Sequence, residues 1–284
     1  MANPEQLTLL KQGVLIWNQW RVQNPEVFPD LQNANLKGLS LCGINLQEVN
    51  LNGADCSGAT LREANFERAE MRKVNMAYAD CLGAHLGEAL LINANLSNMI
   101  LQEADLWMAR MGGITLFNAN LVGANLRSAT LARANLAGAN LFGADLSLAL
   151  AGEANFHSTN LAHAVLQGTD LEGAILDYAN CRMANFRKAN LTRASVRGAD
   201  LALANLVETK FFQSNLEGVD FSHADLQGAI LVDTNLSHAK LKNGKSITKE
   251  QLQGANLDET TQLPEHTTSS GHSIFTTLLI ESAQ

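Results

Sequence analysis

The chain of 284 residues has no run of 18 apolar residues, so nothing in it reads as a membrane-spanning helix. Its N-terminus lacks a basic region followed by a clean apolar run, because Lys11 and Gln12 interrupt the candidate segment, and no secretory signal peptide is expected. Cations are few: 20 Lys and Arg stand against 28 Asp and Glu, a formal charge of −8, which argues against direct nucleic-acid binding. There is no CxxC among the four cysteines, so neither a zinc knuckle nor a disulfide framework is expected, and a reducing cytoplasm fits. There is no GxGxxG, Walker loop, HExxH or GxSxG. Histidines stand at 85, 157, 163, 223, 238, 266 and 272. His163 and His223 share a register but are three 20-residue steps apart, about 14 Å at strand spacing, too far to share a metal. No catalytic residue, cofactor or metal site is therefore assigned.

What is present is a period of five. From Leu31 to Leu241, 43 sites spaced by five residues carry Leu 30 times, Phe five times, Met and Cys three times each, and Val and Ala once each. The 42 sites two places earlier, Ala34 to Ala239, carry Ala 30 times and never a charge. Five matches neither the 3.6-residue helix nor the two-residue strand. A stripe at every fifth residue precesses around a helix and makes no face, although Ala and Leu favour helix locally. The backbone must instead turn a corner every five residues.

A square coil satisfies this. Four pentapeptides make one 20-residue turn, with the central Leu or Phe and the small residue two before it pointing inward and the other three residues outward. The small residue is needed where adjacent sides crowd. Coils stack through backbone hydrogen bonds at about 4.8 Å, so 43 pentapeptides make nearly 11 coils and a rod roughly 50 Å long. Cys56, Cys81 and Cys181 replace central Leu as small hydrophobes, while Cys42 points outward. A core this narrow, filled by Leu, has no room for an internal pocket.

Runs such as Ala119-Asn120-Leu121-Val122-Gly123 and Ala124-Asn125-Leu126-Arg127-Ser128 resemble the pentapeptide-repeat family, whose motif is A-(D/N)-L-X-X. The resemblance spans about three quarters of the chain. It implies an all-β solenoid, a right-handed quadrilateral β-helix of about 11 coils with short α-helical caps at both ends, and, since the family abounds in cyanobacteria, a cyanobacterial source.

The expected divisions are 1–28 as an N-terminal capping helix and lead-in, 29–244 as the solenoid, 245–263 as a C-terminal capping helix, and 264–284 as a flexible tail. Residues 5–23 read as one amphipathic helix through Leu7, Leu10, Val14 and Trp17, with Asn3 as cap and Pro4 in the first turn. Such a helix would cover the unpaired edge and cut core of the first coil. After Leu241 one residue is added before Leu252 and Leu257, and Thr248 with Gln251 forms a capping-box pattern for a short helix over 249–254. In the tail, Ile274 to Ile280 is an apolar run suited to docking on the rod or on another chain.

Residues 20 apart stack. The column Asn35, Asp55, Asn75, Asn95 is a structural ladder of short polar groups bonding nearby backbone. Glu48, Arg68 and Glu88 alternate in sign, giving surface pairs of about 0–1 kcal/mol each. Ala151 replaces a central Leu and should leave a void unless Leu150 or a neighbour turns inward. Gly112-Gly113 should loosen its side.

With three outward positions on each pentapeptide and no catalytic constellation, the expected function is a non-enzymatic protein–protein interaction or scaffold module acting on a protein partner, as monomer or homodimer. The candidate surface is Trp107 beside Met108, Arg127 one coil above Trp107, Val122 stacked with Phe142 around the corner, and Leu148 continuing the Met108 column. Trp, Met, Phe and Arg are enriched at interfaces and hot spots. A competing apolar strip is Leu90, Ile92, Leu150, Phe212, Ile230 and Val232. The alternative implied by the resemblance is a DNA mimic that acts on DNA gyrase, since some family members match B-DNA in width and charge. The acidity fits that alternative, but cations such as Arg68, Arg72, Arg127 and Arg187 interrupt the negative field.

Overall fold

A computed structural model describes residues 1–264, which fall into two compact units, one ending at Asp145 and one beginning at Leu146. Each unit repeats one local solution to the backbone's hydrogen-bonding demand. The pentapeptide 46–50 shows it in full. Leu46 N–H donates to Asn65 O of the next coil (2.7 Å) and Glu48 N–H to Glu67 O (2.9 Å). Asn50 N–H donates back to Pro29 O of the preceding coil (2.9 Å), and Val49 N–H closes a turn on Leu46 O (3.2 Å). One donor is left, Gln47 N–H, and the Asn45 side chain accepts it (3.1 Å). Where Asn or Asp stands before the central residue, as at most sites, its side chain thus satisfies the one amide that neither ladder nor turn can reach.

Each side contributes one bridging residue per coil, paired in parallel with residues 20 away, as in Asp30↔Asn50 and Leu150↔Asp170. Side chains add a second ladder on top of this, such as Asn75 Nδ2 to Asp55 Oδ1 (3.0 Å) and Asn95 Nδ2 to Asn75 Oδ1 (3.1 Å). Inside, the central residues are buried, as are the residues two before them except the half-buried Leu39 in the first coil. Thr169, Thr209 and Thr234 at small sites return their hydroxyls to core carbonyls, Thr209 Oγ1 to Phe186 O at 2.8 Å.

The corner is a turn with its third residue left-handed. Every residue two places after a central site, Asn33 through Asn243, has φ between 53° and 69°. With positive φ at the third position the turns are type II. None of these 43 residues is Val, Ile or Thr, and 14 are Gly, whereas Ile92, Val122, Thr192, Val207 and Val232 all occupy the place just before. Branching at Cβ is excluded where the left-handed region crowds it. Side chains at this corner lean over the same position one coil on, and glycine often receives them. A Cβ at Gly198 would lie 2.9 Å from the Tyr178 ring, and one at Gly53 would collide with Asn33 Oδ1.

Three helices occur among the described residues. The N-terminal helix expected over 5–23 is two helices, α1 (Pro4–Lys11) and α2 (Val14–Gln23), broken where Gly13 takes φ 119° and ψ 162°. Asn3 caps α1. From α2, Trp17 Nε1 donates to Asn45 O (2.7 Å), Asn18 bonds both Gly43 O (2.9 Å) and Asn45 N–H (2.8 Å), and Arg21 donates to Gln47 O (2.8 Å). Deeper in the solenoid the preceding coil supplies such partners; at the first coil these side chains do, which seals the open edge.

At the other end, α3 (Lys249–Leu252) carries the capping box of Thr248 and Gln251. It is shorter than the 249–254 expected, because Gln253 is extended and Gly254 takes φ 81°. Gln251 Nε2 donates to Leu226 O (2.8 Å) and Ala229 O (2.9 Å). The register shift is visible in the bridges: Asn235 pairs with Asn256, one residue beyond the usual 20, and Lys240 with Gln262, two beyond. The apolar run 274–280 lies outside the described residues.

Two sites of expected irregularity can be followed in the backbone. Gly113 has the ordinary corner φ of 65°, with Gly113 N–H on Ala132 O (2.9 Å), so the Gly112-Gly113 side is as regular as its neighbours. Ala151 keeps its ladder bond to Asp170 O (2.7 Å), but Leu150 does not turn inward and stays 53% exposed, since its bridging position faces out. Among the described residues no helix is long and apolar enough to cross a membrane.

Candidate protein-binding surface

All five residues of the candidate surface lie in the first unit, and each sits on a corner. Trp107 and Met108 are the second and third residues of the turn closed by Ala109 N–H on Leu106 O (3.0 Å). Asp105 Oδ1 accepts the Trp107 amide (3.1 Å), and Met108 takes φ 54°. Arg127 holds the Trp107 place one coil on: its carbonyl accepts Met108 N–H (3.0 Å), and its own amide is held by Asn125 Oδ1 (3.1 Å). Val122 and Phe142 occupy the preceding corner in consecutive coils, with Gly123 N–H on Phe142 O (3.0 Å). Trp107, Met108 and Phe142 are 40%, 46% and 44% exposed, Arg127 is exposed, and Val122 is half-buried.

The pairs expected from 20-residue spacing are therefore adjacent, but the two corners are not continuous. Between them runs one side of the coil bearing Asp105, Asn125 and Asp145 in a bridged ladder, with Asn125 Nδ2 on Asp105 Oδ1 at 2.8 Å. Glu103 stands exposed at the edge of this side and lies over Gly123, where a Cβ would be 3.8 Å from Glu103 Cγ. This polar strip was missed from the sequence, although Asp105, Asn125 and Asp145 stand 20 residues apart. Of the competing strip, Leu90 and Ile92 are half-buried in the first unit, while Leu150, Phe212, Ile230 and Val232 are exposed in the second, as is Leu148.

Carboxylates elsewhere are extensively paired. Arg68 reaches both Glu88 (3.3 Å) and Glu48 (3.8 Å), Arg62 meets Asp80 at 2.6 Å, and Arg193 meets Glu172. Asp177 is nearly buried, which alone would raise its pKa. The Ser195 hydroxyl and the Arg197 guanidinium and amide outweigh this and hold it below the ordinary carboxylate value. Burial pushes the Cys56 thiol up to about 12 and raises those of Cys81 and Cys181, so these thiols are not nucleophiles. Among the described residues no group of His, Cys, Asp and Glu could hold a metal ion.

Stacked type II turns closing a four-sided parallel ladder define a quadrilateral β-solenoid. The family description "Pentapeptide repeats" matches repeatedly, over segments 30–68, 50–91, 79–116, 109–147, 154–193, 179–206 and 204–243. The chain belongs to the pentapeptide-repeat family, and its fold is that family's right-handed quadrilateral β-helix. Among solved structures it is similar to HetL, a pentapeptide repeat protein involved in heterocyst differentiation regulation from the cyanobacterium Nostoc sp. strain PCC 7120. The identity is 32% over 73% of this chain and 90% of that one, with a TM-score of 0.39. It is also similar to QnrB1, a plasmid-mediated fluoroquinolone resistance protein (18% identity, 70% and 97% of the chains, TM-score 0.34). A pentapeptide repeat protein from the Arabidopsis thaliana thylakoid lumen matches at 22% identity over 55% and 90%, with a TM-score of 0.21. No curated protein matches the chain.

Proposed function

We propose that the protein is a non-enzymatic interaction module that binds a protein partner through the corners bearing Trp107, Met108, Arg127, Val122 and Phe142. The observation that carries the reading is large apolar side chains held outward on hydrogen-bonded turns. Their backbone is already fixed, so binding costs little ordering. The exposed, unpaired Cys42 fits a reducing, cytoplasmic setting. A DNA mimic needs a uniform negative field, and the interleaved Arg–carboxylate pairs count against it.

The test compares wild type with Trp107→Ser/Phe142→Ser, after circular dichroism confirms equal melting curves, for retention of proteins from a native extract. Loss of a retained protein with the double variant is expected. Unchanged retention of every partner would remove this surface from consideration, and inhibition of DNA gyrase supercoiling by both proteins would favour the mimic.

A further inference from the structure

We propose that the side between the two apolar corners recognises a basic segment of the partner, Lys or Arg flanked by apolar side chains; this rests on the reading of the corners as a binding surface. The argument starts from charge. Across this side, in the coils that hold the corners, stand the carboxylates of Glu103, Asp105 and Asp145; the cation Arg127 is at the far corner, in the Trp107 column. Asp105 points one oxygen at the Trp107 amide and Asn125, a role that Asn fills at most other coils, so its charge is not required by the turn. Glu103 is exposed and leans over Gly123 of the next coil, where the left-handed corner (φ 66°) carries no side chain to lift it away.

Gly123 and Gly143 leave the floor beside Val122 and Phe142 low. Trp107 and Met108 rise at the opposite corner. A partner segment crossing the side diagonally would set apolar groups against Phe142 and Trp107 and a cation over Glu103 and Asp105 between them. An acidic or neutral segment would desolvate those carboxylates without repayment, so the strip selects against it as well as for a base.

The probe is a synthetic peptide alternating Lys with Leu and Phe, beside a counterpart with Glu in place of Lys. Binding is read from Trp107 in a Trp20→Phe background, because Trp20, packed on Trp17 in α2 (ring centroids 5.3 Å), is only half-buried, whereas Trp17 is fully buried. The Lys peptide should shift Trp107 emission to the blue saturably and more weakly at high salt, and the Glu peptide should not. In Glu103→Gln/Asp105→Asn, which keeps the turn acceptor, affinity should fall about three- to tenfold with a flatter salt dependence. Neutralising Glu26 and Glu259 instead should change nothing. Failure of the Lys peptide to bind, or equal binding by the strip variant, overturns the proposal. If Trp107→Ser/Phe142→Ser loses a native partner that the strip variant still binds with unchanged affinity, the surface stands and the basic-segment inference falls. If neither variant alters any binding, both fall.

Discussion

Each corner residue is a compromise between a backbone that wants glycine and a surface that wants a side chain. Positive φ costs a non-glycine residue energy, and a β-branched residue most. Yet most corners here are not glycine, because long unbranched residues can lean over the next coil, as Glu63 does over Gly83 and Glu208 over Gly228. Met183 isolates the backbone effect, being half exposed with φ 57°. Met183→Val should lower stability by about 1 kcal/mol or more despite similar polarity, whereas Met183→Asn should be neutral or better, because Asn tolerates this region. Melting temperatures of the two variants would decide; equal melting would mean the corner conformation is not what excludes branching.

At the level of elements, the caps matter for what they donate more than for what they cover. A coil in the interior exchanges hydrogen bonds with two neighbours, and the first coil has only one. α2 replaces the missing neighbour with Trp17, Asn18 and Arg21, and α3 answers at the other end with Gln251. Removing one such donor leaves a buried carbonyl without a partner. Trp17→Phe keeps most of the ring's bulk, yet should cost about 1–3 kcal/mol by orphaning Asn45 O. Leu15→Ser, at an exposed position on the same helix, should cost little. Denaturant midpoints give the comparison, and a Trp17→Phe midpoint equal to that of wild type would show that the α2 bonds do not hold the first coil.

For the whole molecule, the charged surface is consequential mainly in acid. Asp177 and Asp258 are both held below the ordinary carboxylate value. Burial opposes this in each, but is outweighed by Ser195 and Arg197 around Asp177, and by Thr260, the His238 amide and Thr261 around Asp258. A depressed folded pKa means stability that is fully present above the unfolded value of about 3.9 and lost as pH falls through the folded one. The melting temperature should therefore hold steady from neutrality to about pH 5 and drop below about pH 4. Asp177→Asn and Asp258→Asn together should flatten that drop. A decline already complete above pH 5 would place the acid sensitivity in other groups.

The period of five, with Leu at its centre and Ala two before, was enough to settle which residues face inward, because a coil that turns a corner every five residues gives that spacing a common interior; that the corners number four is seen in the bridges between residues 20 apart. The same spacing placed Arg68 between Glu48 and Glu88 and set Arg127 above Trp107. What it could not show is whatever depends on a backbone angle or on an end. Left-handed φ at every third turn residue leaves only a faint mark, the absence of Val, Ile and Thr from that place. The break at Gly13 that divides the N-terminal helix was hidden by continuous apolar spacing. That Asp105, Asn125 and Asp145 separate the two halves of the candidate surface follows from the order of corners around the coil. Linear spacing shows which residues stack along a column; the width of a side, and so what stands between two columns, exists only once the chain has turned its corners.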